Sequence, residues 1–228
     1  MQSETDTKAF PEFWSPAIRL LVFSLAATSI WSLLIEFYGW CSMRSFTLFV
    51  SLPALTVLAA LAITGRLLGN QILWRVVALG AVAGLIAAVA YDLFRLPFVY
   101  ADALGIQRVV PSLKLFKVFP RFGAMLLGQP LEQPHYSVAA QLLGWGYHFS
   151  NGVTFGIMYV ALIGDATRHH WAWGIVFAIG LELAMLFTPY PAYFTIPLTT
   201  AFIVVTLAAH AVFGVVLGRT ALLLWKIQ

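Results

Sequence analysis

Apolar residues dominate this chain in six long stretches, at about 17–39, 46–66, 72–98, 137–163, 171–190 and 196–224. Each approaches or exceeds the roughly twenty residues a helix needs to cross a bilayer. Polar interruptions inside them are few and fall at helical spacing. Five ionisable residues continue stripes of small residues four apart: Ser24-Thr28-Ser32-Glu36, Gly80-Gly84-Ala88-Asp92, Gly144-His148-Gly152-Gly156, Gly174-Ala178-Glu182 and Thr206-His210-Gly214-Gly218. Small residues at this spacing let helix backbones approach closely. A chargeable group on such a stripe therefore faces neighbouring helices, and intramembrane charges mark functional sites by default.

The pattern predicts an all-α, polytopic integral membrane bundle of about six transmembrane helices, with residues 1–228 forming one domain. Alternating segments of about ten residues, the signature of barrel strands, are absent from the sequence. Connections are short except for residues 99–136. Within that stretch, 111–127 carries Lys114, Lys117 and Arg121 three and four apart, with Leu115, Phe116, Phe119 and Phe122 turned away from them. This predicts an amphipathic interfacial helix between the third and fourth spans, opened by Pro111 and bent or broken at Pro120.

Composition strengthens the membrane reading. Hydrophobic residues make up 61% and charged residues 10% of the chain, against about a quarter charged in soluble domains. The formal charge of +4 is carried mostly at span ends and in loops. That distribution suits lipid headgroups and argues against a nucleic-acid partner. Cys41 is the sole cysteine, so no intrachain disulfide or thiol pair can form. Glu4, Asp6, Lys8 and Glu12 precede the first span, and no cleavable signal pattern is expected. Basic residues spread over Lys8, Arg19, Arg66, Arg75, Arg168, Arg219 and Lys226 place both termini in the cytoplasm of a cell with an inner membrane. The 99–136 segment is then outside. No inverted three-plus-three repeat is present.

The chemistry rests on Asp92, His148, Glu182 and His210, which reach similar depths of the third to sixth spans. Two imidazoles and two carboxylates form either a general acid–base set or a ligand set for a divalent zinc, iron or manganese ion. Neither an HExxH nor a Glu-x-x-His motif supplies a more specific metal signal. Arg95 shares a face with Asp92, and Asn151 with His148, with Tyr147 adjacent. Arg95, Asn151 and Tyr147 are expected to bind substrate, and Lys114, Lys117 and Arg121 to gather an anionic headgroup. The fragments His148-Phe-Ser-Asn151 and Ala209-His210-Ala-Val-Phe-Gly214 resemble helices of rhomboid-type intramembrane proteases. No Gly-x-Ser-Gly nucleophile lies between them, so that chemistry does not carry over.

These readings favour a membrane-embedded enzyme acting on a lipid or other amphiphile. The alternatives are a small cation, proton or metal transporter, and an accessory subunit of a larger membrane complex that holds a haem through His148 and His210. Membrane lipids are the expected partners. Gly80/Gly84, Gly152/Gly156 and Gly214/Gly218 offer surfaces for a homo-oligomer.

Overall fold

The structure, a computed structural model, describes residues 14–227. Glu4, Asp6, Lys8 and Glu12 lie outside the described residues, as does Gln228. All regular structure among the described residues is helical. The helices are α1 (Pro16–Phe37), α2 (Met43–Leu67), α3 (Gln71–Val99), α4 (Val118–Leu127), α5 (Val138–Ile163), α6 (Trp173–Leu186), α7 (Tyr190–Tyr193) and α8 (Thr200–Ile227). A π-helical turn, Thr47–Ser51, interrupts α2.

Local chemistry sets the boundaries. Pro16 opens α1, where its missing N–H costs no helical bond. Ser137 caps α5 by accepting from the Ala140 amide at 3.1 Å. Gly164, with φ of 67°, stops that helix in a conformation that disfavours a side chain.

Four helices (α1, α2, α3 and α8) are long and apolar enough to cross a membrane. They correspond to the first, second, third and sixth expected spans. The other two differ. α5 is 26 residues long but carries Gln141, His148, Ser150, Asn151 and Thr154. α6 is strongly apolar but only 14 residues long, about 21 Å against a hydrocarbon core of about 30 Å. The fifth stretch breaks early because Pro189, Pro191 and Pro197 follow it closely.

Successive long helices run antiparallel. Gly80 and Gly84 of α3 meet Gly156 and Gly152 of α5 so closely that a Cβ on any of them would collide with the opposing helix. Gly174 of α6 meets Gly214 and Gly218 of α8 in the same way. The small-residue stripes are thus used inside the chain, holding α3 to α5 and α6 to α8. Arg19 of α1 donates through Nε to the Ala161 carbonyl of α5 at 3.0 Å, tying those two helices together at one end.

Two hydrophobic cores result. One contains Val76, Leu79, Ala83, Ile157, Leu217 and Ala221 towards the end of the bundle where α1 starts and α8 finishes. The other contains Leu33, Phe37, Phe119, Phe122, Tyr147 and Phe194 at the opposite end.

The expected interfacial helix takes a different form. Helix begins at Val118, after a 3-10 turn at Leu115–Lys117, and Pro120 lies in its first turn without breaking it. Phe119, Arg121, Phe122, Gly123, Ala124 and Met125 are buried. Gly123 and Gly144 allow this burial, since a Cβ on either would strike the backbone of the other helix. Of the expected helix's three basic residues, Lys114 and Lys117 keep the exposure expected of a surface helix and Arg121 does not.

Candidate functional site

Polar side chains of α3, α5, α6 and α8 gather between the two cores. The Asp92 carboxylate accepts from Arg95 at 3.2 Å through Oδ1 and from His148 Nε2 at 2.8 Å through Oδ2. One turn of α3 supplies both partners of the ion pair, and the α3–α5 glycine contact brings His148 across to it. With Nε2 donating, the neutral His148 ring keeps its lone pair on Nδ1. Phe119 of α4 stacks on this imidazole with centroids 4.3 Å apart.

His210 forms the second pair. Its Nδ1 lies 3.0 Å from the Thr206 carbonyl and 3.4 Å from Glu182 Oε2. A carbonyl only accepts, so Nδ1 carries the proton and Nε2 the lone pair of the neutral ring. Glu182 is buried and has no basic neighbour on α6; its partner comes from α8 across the glycine contact.

Tyr91 joins the pairs. Its ring lies 4.9 Å from His210 and 6.0 Å from His148. The Arg95 guanidinium lies 4.5 Å above its face and donates through Nη2 to the Leu115 carbonyl at 2.8 Å. Tyr91 lies one turn before Arg95, on the face the helices close around.

Two cavities flank this cluster. The first, about 340 Å³, is walled largely by aliphatic and aromatic side chains and bordered by His148, Asn151, Glu182 and His210. The second, about 430 Å³, is bordered by Arg95, Lys114, Lys117, Arg121 and Glu182 with several hydroxyl groups. Both volumes fall within the roughly 300–1,000 Å³ usual for ligand pockets. Tyr91, Arg95, Val118, Glu182 and Tyr190 border both.

The remaining expected site residues are distributed differently. Asp92 stands behind His148 and does not border the first cavity. Asn151 borders it, but its Oδ1 accepts from Ser29 at 2.6 Å. Tyr147 turns away to α1, donating to the Ser29 carbonyl at 2.8 Å. Arg121 is buried, donates to the Phe194 carbonyl at 2.7 Å and pairs with Glu132. Glu36 lies elsewhere, accepting from Tyr193 at 3.0 Å and from the Met43 amide. Tyr91, Tyr190 and Ser29 were not anticipated. The Ala87-Tyr91-Arg95 spacing of four is the sequence signal that points to Tyr91.

Among the described residues, no group of three or more His, Cys, Asp or Glu side chains gathers to hold a metal ion. The four expected ligands form two separate pairs. Each supplies two donors of a suitable kind, fewer than a closed tetrahedral site requires. A haem held by both imidazoles would displace Tyr91, which packs on both rings. No protein-family model matches the chain, and no curated protein or solved structure matches it significantly.

Proposed function

We propose that this protein is a membrane-embedded enzyme that performs acid–base chemistry on an amphiphile, in a bundle that crosses the bilayer six times. The carrying observation is a pair of unlike cavities that share Tyr91, Arg95 and Glu182, with His148 and His210 bordering the apolar one beside that junction. An apolar chamber suits a hydrocarbon chain and a basic one suits an anionic head. Reactive groups at their junction would meet the bond between the two. The antiparallel run of six helices supports the span count, with α5 and α6 sheltered by the four longer ones.

In this reading His148 and His210 each take a proton from the reacting centre at the free ring nitrogen and then return it, and each is oriented by a second group. Asp92, itself fixed by Arg95, holds His148 with Nδ1 available. The Thr206 carbonyl holds His210 with Nε2 available, and Glu182 stabilises the imidazolium when it forms. Towards the other end of the bundle the core is closed by apolar side chains such as Leu79, Ile157 and Leu217. That closure favours a reaction chamber over a transport path.

The test is turnover of a bacterial lipid extract by purified protein in nanodiscs, followed by mass spectrometry. His148→Ala and His210→Ala should each lower turnover by about 10²–10⁴. The double variant should be little worse, because groups acting as a unit are not additive. Unchanged lipids with wild type, or full turnover by the double variant, overturns the reading.

A further inference from the structure

The substrate's shape and charge follow from features the acid–base reading leaves unused, and the argument rests on that reading. The first concerns access to the apolar chamber. Ile30, Trp31 and Leu34 of α1 and Leu181, Ala184 and Met185 of α6 border it, yet α1 and α6 do not pack along one another. Both helices are held instead by other partners, α1 by α5 and α6 by α8. A slot therefore separates them, and Trp31 and Ala184 at its sides are exposed. In a bilayer this slot opens onto acyl chains, not onto water.

The second feature is unsatisfied positive charge in the basic chamber. Lys114 and Lys117 border it and form no ion pair among the described residues. Arg95 and Arg121 are already paired, but each retains a buried Nε–H without an acceptor among the described residues. Buried donors are ordinarily satisfied. The Thr199 hydroxyl borders the same space. Its oxygen accepts from the Phe202 amide, and its proton remains to be donated. Donors arriving from three segments of chain suit a multi-oxygen tetrahedral anion. A planar carboxylate is best matched by the fork of one arginine, and neither arginine has its fork free.

The wall of this chamber is also strained. Thr195 has φ of 50°, a costly conformation for a β-branched residue. The neighbouring Phe194 carbonyl is pinned by Arg121. Strain of this kind persists where the surroundings over-determine it, and it clusters at ligand sites.

We propose that the protein binds a single-chain amphiphile with a phosphate head. The chain passes through the α1–α6 slot into the apolar chamber, and the phosphate lies in the basic chamber against Lys114 and Lys117. A cavity of about 340 Å³, near the low end of the usual range, suits one chain better than two.

Binding tests this without reading turnover. Affinities of wild-type protein in detergent are measured by native mass spectrometry for oleoyl lysophosphatidate, monooleoylglycerol, oleate and inorganic phosphate. Lysophosphatidate should bind at least about tenfold more tightly than the uncharged glyceride, the scale of charge-assisted contacts. It should also exceed oleate and inorganic phosphate. Lys114→Gln/Lys117→Gln should erase most of the preference over the glyceride with an unchanged melting temperature, since both lysines are exposed. Ala184→Trp, which narrows the slot, should weaken the lipid and leave inorganic phosphate unaffected. Equal binding of lysophosphatidate and glyceride overturns the phosphate assignment, as does a preference that survives loss of both lysines. Inorganic phosphate binding as tightly as the lipid assigns the chamber to a free anion and overturns the amphiphile. Head-selective binding with no lipid turned over would refute the enzymatic reading and leave this inference standing.

Discussion

Asp92 holds two partners at once, and that sets how its loss will differ from theirs. Arg95 is only 4% exposed. Removing Asp92 leaves its guanidinium buried without a counter-charge, whereas removing His148 leaves the Asp92–Arg95 pair intact. Breaking a buried pair from one side typically costs about 3–5 kcal/mol. Helix–helix hydrogen bonds in membranes average about 0.6 kcal/mol. Asp92→Ala should therefore lower the melting temperature far more than His148→Ala does. Equal shifts in detergent would contradict this ranking. The inward placement of His148, Asp92, Glu182 and His210 was legible because a chargeable group in an apolar helix avoids lipid. Their pairing was not, since it depends on which helices touch. Tyr147 misled for the same reason: adjacency to His148 in sequence puts it about 100° around α5, facing Ser29 of α1.

At the scale of elements, the glycine stripes were the most readable feature, and they explain the pairing that single residues conceal. Gly80 and Gly84 against Gly152 and Gly156 position His148 over Asp92; Gly174 against Gly214 and Gly218 positions Glu182 by His210. Gly146 and Gly180 lie on the same helices with open space around them. Gly84→Ala or Gly156→Ala should thus destabilise the bundle by about 1–3 kcal/mol or more through overpacking. Gly146→Ala should be neutral or stabilising, because it raises helix propensity with nothing to strike. Thermal unfolding of the three variants decides the matter; a damaging Gly146→Ala would break the account. The stripe on α1 was less legible. Ser32 of that stripe is buried, with Val22, Ala26, Ala27, Ser29, Leu33 and Phe37, whereas Ser24 faces outward. Helix α4 shows the limit of periodicity. Its amphipathic pattern identified the apolar face, but a buried helix packed through Gly123 and a helix on a lipid surface share that pattern.

For the whole molecule, the antiparallel order places the start of α1 and the end of α8 at one end of the bundle. Proposed topology puts that end in the cytoplasm and residues 99–136 outside. Reporter fusions after Gln228 and within 104–110 should give opposite signals, with the cytoplasmic one at Gln228. Matching signals, or the reverse, would reject it. The sequence supports this orientation weakly because basic residues occupy both ends in similar number.

One end of the bundle carries a ring of arginines over tryptophans. Arg66 lies 4.6 Å from the Trp74 ring, Arg75 4.5 Å from Trp225 and Arg219 4.3 Å from Trp171. Such pairs settle at the boundary between headgroups and hydrocarbon. Arg75 and Asp92 share one unbroken helix, seventeen residues and about 25 Å apart. In a bilayer, the ring at one leaflet would act as a depth gauge for the proposed chemistry near the other. In a hydrocarbon core of about 30 Å the reactive pairs would sit just beneath the far headgroups. Thickening the bilayer would sink them away from the headgroup phosphates, and thinning it would lift them into water. Turnover in nanodiscs made from phosphatidylcholines of increasing chain length should pass through an optimum near the thickness of a native membrane and fall on both sides. A rate indifferent to thickness would show that the arginine–tryptophan ring does not set the depth.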